Sequence, residues 1–265
     1  YRSKKTFDRI QIMFFSKKLN KFNTINHCFF SRNNGFSQGI YSSLNCGRGS
    51  KDKVENINKN LNVISKKMNV DKKNLILMNQ THSSKAILVD ENNVSDIQFT
   101  ADALVTRLKG VALGVLTADC VPIILYDEIN KVIGCIHAGW KGSQKGVIRN
   151  TLEKFKELNN NNKITAAIGP CIGLKSYEVG IEFYENFLSE NARNKQFFLK
   201  KSDNKFLFDI RNYSRNLLID NGVTDIDNIN LDTFTNIDNF FSYRRSLKLT
   251  ETDYGRCVST ICLKI

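Results

Sequence analysis

Residues 111–142, VALGVLTADCVPIILYDEINKVIGCIHAGWKG, decide the reading of the fold. Val111–Thr117, Ile123–Tyr126 and Val132–His137 are short, rich in β-branched residues and almost continuously apolar, the pattern of strands buried on both faces. The polar break Thr117-Ala118-Asp119-Cys120 follows the first of them and ends on a thiol. The last strand ends on His137, which opens His-Ala-Gly-Trp-Lys-Gly; Gly139 and Gly142 permit a sharp turn that a Cβ would obstruct. Strand, turn and returning strand would carry Cys120 and His137, 17 positions apart, to one sheet edge.

Outward from this block the pattern alternates. Val54, Ile57, Leu61, Ile64 and Met68 form the stripe of an amphipathic helix, with the preceding Gly-Ser-Lys-Asp as its cap. Leu75–Met78 and Ala86–Val89 read as strands on either side of Gln80-Thr81-His82-Ser83-Ser84, which places His82 at a strand end. Ala103–Thr106, Ile164–Ile168 and Val258–Leu263 are further strands; helices are expected at 147–155, Val179–Leu188 and Ile210–Asn221. Strands alternating with helices predict an α/β domain, or an α+β one, with mixed sheets flanked by helices. Two prolines leave no linker, so residues 25–265 are read as one catalytic domain and 1–24 as a basic N-terminal tail or extension.

The net charge of +13 invites a nucleic-acid reading, but the lysines are interleaved with asparagines, as in Asn58-Lys59-Asn60, and form no Arg-rich stripe. Nucleic acid is therefore not the expected partner, whereas a small anionic substrate would feel the same field. Seven cysteines, an odd number without a disulfide framework, and no secretory signal or membrane-length apolar run point to the cytoplasm.

Of the three histidines, His82 and His137 lie at polar strand ends, as does Cys120, and the His137 turn also carries two glycines. Two imidazoles and a thiolate suit zinc, with a fourth position left for water or substrate. Each residue alone has a plainer reading: a lone Cys packs and a lone His satisfies a hydrogen bond. The spacings fit no short zinc motif.

The chain carries SRNNGFSQGIYSSLNCGRGSKD (31–52), QTHSS (80–84), ADALVT (101–106), GVLTADCVPIIL (114–125) and IHAGWKG (136–142). IGPCIG (168–173), YEVG (177–180), FFSYRR (240–245) and GRCVS (255–259) follow in order. On these stretches it resembles the laccase-domain family, once described as multicopper polyphenol oxidases and now as purine nucleoside phosphorylases and deaminases. The resemblance implies that His82, Cys120 and His137 bind zinc, with copper as the alternative metal. It implies phosphorolysis of adenosine, inosine and methylthioadenosine to free base and ribose 1-phosphate, plus deamination of adenosine.

Deamination needs an acid/base group, and Asp119 beside the thiol is the candidate. The usual His-x-Glu and Pro-Cys-x-x-Cys deaminase signature is absent. Phosphate binding is assigned to Arg32, Lys141, Arg244 and Arg245, against the reading that the arginines hold loops together. Trp140 and Cys171 are read as packing residues. Asp232 stands where the family commonly has Cys and is not counted as a site residue. The alternatives are a copper-dependent polyphenol oxidase and a Cys120-dependent hydrolase of cell-wall precursors.

Overall fold

The computed structural model describes residues 13–95 and 98–265; the basic stretch 1–12 lies outside them. The first elements are β1 (Met13–Phe14), β2 (Ile25–Phe30), α1 (Val54–Met68), β3 (Leu75–Asn79), β4 (Ala86–Val89), β5 (Phe99–Thr100) and β6 (Ala103–Thr106). The central block is β7 (Ala112–Thr117), β8 (Val121–Asp127), β9 (Val132–Ala138), α2 (Trp140–Gln144) and α3 (Val147–Leu158). There follow β10 (Ile164–Ile168), β11 (Glu178–Gly180), α4 (Ile181–Glu190), β12 (Phe198–Ser202) and β13 (Lys205–Phe208). The chain closes with α5 (Ile210–Asp220), β14 (Asp225–Asn228), α6 (Tyr243–Lys248) and β15 (Cys257–Leu263).

Two six-stranded mixed sheets, β1-β2-β15-β7-β3-β5 and β14-β10-β8-β9-β6-β4, stack face to face, and β11-β13-β12 forms a small antiparallel sheet. Residue parity explains the apolar runs. In β8, Ile124 and Tyr126 face the core between the sheets, while Val121, Ile123 and Leu125 face Ile148, Leu152 and Phe155 of α3. In β15, Ile261 and Leu263 face the inter-sheet core, and Val258 and Cys262 face Leu61 and Ile64 of α1. Both faces of both sheets are thus covered, so alternation disappears from the sequence. The result is an α/β fold of four layers, as expected.

The helix expected from Val179 starts two residues later. Glu178–Gly180 pairs with β13, and Gly180, extended at φ −83° and ψ 173°, ends the strand and precedes the helix. The expected cap of α1 also differs: Lys53 occupies that position without a side-chain bond, and Asp52 accepts instead from the side-chain Nδ2 of Asn45 at 3.0 Å. The described part of the extension, residues 13–24, is packed into the domain. β1 pairs with β2, Leu19 is fully buried, and Ser16 Oγ donates to Asp227 at 2.7 Å.

His27 fastens this segment, its Nε2 accepting from the Ser16 amide at 2.9 Å. Burial, partly opposed by Asp227, lowers its pKa from 6.5 to about 4. The unfolded chain takes up that proton near 6.5 and the folded one only near 4. Stability from this group is therefore full above the upper value and falls as the pH drops through the window. Thermal midpoints followed from pH 7 to pH 4 are expected to decline less steeply in His27→Gln than in the parent, since the variant has no group to protonate there.

Candidate metal centre and its pocket

The site forms where the chain crosses between the two large sheets. β3 and β7 run parallel, so both leave the first sheet at the same end, and their exits lead to β4 and β8 of the second. His82 lies in the first crossing and Cys120 in the second. His137 reaches the same end on β9, where it pairs with Pro122. Both crossings bend sharply: His82 has φ 57° and Asp119 has φ 92°, a left-handed region that L-residues enter only when held there. The side chain of Gln80 holds the first crossing, extending the ladder to Leu116 by one bond to its carbonyl (2.7 Å) and one from its amide (2.8 Å). Asp119 holds the second. Its carboxylate accepts from Thr233 Oγ1 (2.6 Å), Ser242 Oγ (2.9 Å) and the Arg244 amide (2.6 Å).

The three expected ligands converge. One donor atom from each of His82, Cys120 and His137 lies within 4.8 Å of the others, and Cys120 Sγ is 3.8 Å from His82 Nε2. Zn–S and Zn–N bonds of about 2.3 and 2.0–2.1 Å in a tetrahedron separate donors by roughly 3.5 Å, so the set fits zinc with small adjustment. His82 is exposed, Cys120 half-buried and His137 buried, which leaves one open side. A Cβ at Gly139 would lie 2.8 Å from His82 Cδ2 and 3.2 Å from Cys120 Sγ, so glycine is required for the two ligands to close.

Behind them sits Asp102, fully buried immediately before β6. It accepts from His137 Nδ1 (2.8 Å), the His82 amide (3.0 Å), the Ser83 amide (2.6 Å) and Ser83 Oγ (2.7 Å). One carboxylate therefore fixes the His137 ring, turning Nε2 to the site, and shapes the loop that carries His82. Burial works against its charge, but the bonds from His137 and Ser83 outweigh it and hold Asp102 below the usual carboxylate range. At Cys120 burial likewise opposes the thiolate, and His137 and His82 outweigh it and draw the thiol down. Asp119 shows the reverse balance: burial raises its pKa despite its three donors.

A cavity of about 310 Å³ opens at the centre, lined by His82, Cys120 and His137 and also by Gln98, Tyr254, Arg48 and Arg256. The arginines expected to bind phosphate do not line this cavity. Arg32 Nε donates to the Ser42 carbonyl at 2.6 Å and stacks on Phe241. Arg244 donates to the Glu178 carbonyl at 2.7 Å, and Arg245 to those of Thr233, Phe234 and Phe240. Lys141 is exposed and leans over Trp140, with 5.3 Å from its Nζ to the ring. Trp140 meets Phe183 edge-on at 4.9 Å, and Cys171 is fully buried, its thiol pushed up to about 12. Sequence reasoning missed Asp102, Arg48 and Arg256. For Asp102 there was a signal, a carboxylate inside the apolar stretch Ala-Asp-Ala-Leu-Val, which demands buried donors.

Comparison with known proteins agrees with this architecture. A family model described as multi-copper polyphenol oxidoreductase laccase matches residues 26–264. A purine nucleoside phosphorylase of Rickettsia conorii is 39% identical over 191 residues, covering 72% of this chain and 78% of the relative. Another, from Bacteroides thetaiotaomicron, is 32% identical over 241 residues, covering 86% and 89%. A hypothetical protein of Bacillus licheniformis superimposes with a TM-score of 0.87 at 25% identity, covering 96% of this chain and 97% of that one. A Neisseria meningitidis protein does so at 0.81 and 29% identity, covering 92% and 96%. With the match spanning nearly the whole described chain, the protein belongs to the multi-copper polyphenol oxidoreductase laccase family.

Proposed function

We propose that the protein is a zinc-dependent purine nucleoside phosphorylase of the cytoplasm, acting on adenosine, inosine and methylthioadenosine and also deaminating adenosine. The observation that carries this reading is the convergence of two imidazoles and one thiol on a cavity of nucleoside size, about 310 Å³. The relatives bearing the name purine nucleoside phosphorylase support it. His82, Cys120 and His137 would hold the ion, and zinc bound there would supply a Lewis acid and a water acidified toward neutral pH. The same donors accept copper, but a multicopper oxidase needs several copper centres, and among the described residues one group of three ligands is present.

In phosphorolysis a phosphate oxygen forms a bond to ribose C1′ as the C1′–N bond breaks, and the base leaves with the electron pair and takes up a proton. The chain's own part is to hold both substrates in line and exclude competing water. His137 is kept in one tautomer and one orientation by Asp102, while Asp119, with both oxygens engaged, holds the Cys120 turn.

The test is incubation of zinc-loaded protein with adenosine or inosine, with and without phosphate, following bases and ribose 1-phosphate by chromatography. Phosphate-dependent base release, and phosphate-independent inosine from adenosine, both lost in Cys120→Ala, are expected. Absence of either free base or inosine from zinc-replete protein would overturn the reading.

A further inference from the structure

We propose that Arg48 and Arg256 form the site that holds inorganic phosphate in the metal-centre cavity, an inference that rests on the phosphorylase reading. Both line the cavity shared by His82, Cys120 and His137, and no carboxylate lines it with them. Two guanidiniums on a wall with no carboxylate in its lining make it a place for an anion. Asp253, near enough to feel the charge of Arg256, is taken up by the Tyr41 hydroxyl and the Lys51 amide.

The wall is built. Asn45 is fully buried, and its Oδ1 accepts from the amides of Gly47 (2.9 Å) and Arg256 (3.0 Å). The Cys46 amide donates to the Arg256 carbonyl at 3.1 Å. The loop carrying Arg48 is thereby fastened to the strand entry carrying Arg256. Gly47 completes the fit, since a Cβ there would lie 3.0 Å from Arg256 Nη1.

The guanidiniums are also available. Arg256 lies over Tyr254 at 4.2 Å and makes one long donation, 3.4 Å to the Tyr254 carbonyl. Arg48 is exposed and has no side-chain partner among the described residues. Arg245, by contrast, donates to three backbone carbonyls and Arg32 to two, while Arg244 makes one such bond and lies over Tyr177; none of the three lines this cavity. Arg48 further lines a second cavity of about 650 Å³ with Lys72 and Lys73, which extends the positive field outward from the catalytic one.

The test uses zinc-loaded full-length protein and inorganic phosphate as the probe. Phosphate binding is titrated by ³¹P line broadening, and the KM for phosphate and for inosine are measured separately. Arg48→Gln and Arg256→Gln are each expected to weaken phosphate binding and raise its KM about ten- to a hundredfold. The KM for inosine should change less than about twofold, and Arg48→Lys should recover part of the loss. Because Arg48 is exposed, its variant gives a result even if Arg256→Gln folds poorly.

Unchanged phosphate binding and KM in both variants, while phosphorolysis proceeds, would overturn this site and leave the phosphorylase reading intact. Phosphate that binds through the two arginines without base release would overturn that reading and keep the site. In a parallel arm with adenosine 5′-monophosphate, arginine-dependent binding of the nucleotide alone, inorganic phosphate failing to bind, would overturn the assignment to inorganic phosphate.

Discussion

Asp102→Asn is expected to lower zinc affinity about 10- to 100-fold while all three ligands remain in the chain. The buried carboxylate accepts from the His137 ring, from the Ser83 hydroxyl and from the amides of Thr81, His82 and Ser83. An amide offers one oxygen and turns an NH₂ toward donors, so at least one of these bonds becomes a repulsion. The His137 ring loses the partner that aims Nε2, and the loop carrying His82 loses its anchor. Chelator competition against the parent measures the effect, with phosphorolysis at saturating zinc as the companion reading. Unaltered zinc affinity would mean that packing around the buried ring, not Asp102, sets its orientation.

Asp119→Ala is the second large effect, on stability. Truncation leaves the Thr233 and Ser242 hydroxyls and the Arg244 amide without their acceptor in a buried place, at a cost of about 3 kcal/mol. For a domain of this size that is a fall of roughly 6–12 °C in thermal midpoint. It also removes the tie that keeps Asp119 at φ 92° beside Cys120. The measurement separates two roles. A positioning residue lowers the midpoint and the zinc affinity together, whereas an acid/base group would reduce turnover with the midpoint unchanged.

Much of the site was legible because its chemistry is rare in this chain. Only three histidines exist, and the two that carry the site, with Cys120, stand at ends of strands whose continuous apolarity marks them as buried. Parity along β8 and β15 then explains why helix-covered layers lie outside both sheets. The roles of the arginines are hard to read from sequence for a physical reason. A guanidinium satisfies carbonyls in irregular backbone as readily as it binds an anion, and the segment 229–241 takes Arg211 and Arg245 for that purpose. Spacing cannot distinguish the two uses; which guanidinium lines the cavity is visible only in the fold. Arg48 and Arg256 are brought together by the buried Asn45, a contact across more than two hundred positions. Val179 continues an apolar spacing and so reads as helix in the sequence, whereas its pairing to β13 makes Glu178–Gly180 a strand.

Zinc content and ligation test the central claim most directly. Cys120 is the one cysteine of the chain that is not buried, so its thiol reports on the site without interference. Purified protein should carry one zinc per chain, with an X-ray absorption spectrum showing one sulfur and two imidazole nitrogens. A thiol reagent should reach Cys120 only after chelation, and alanine at His82, Cys120 or His137 should abolish stoichiometric binding. Zinc ligation without sulfur, or Cys120 freely alkylated in zinc-replete protein, would contradict the account.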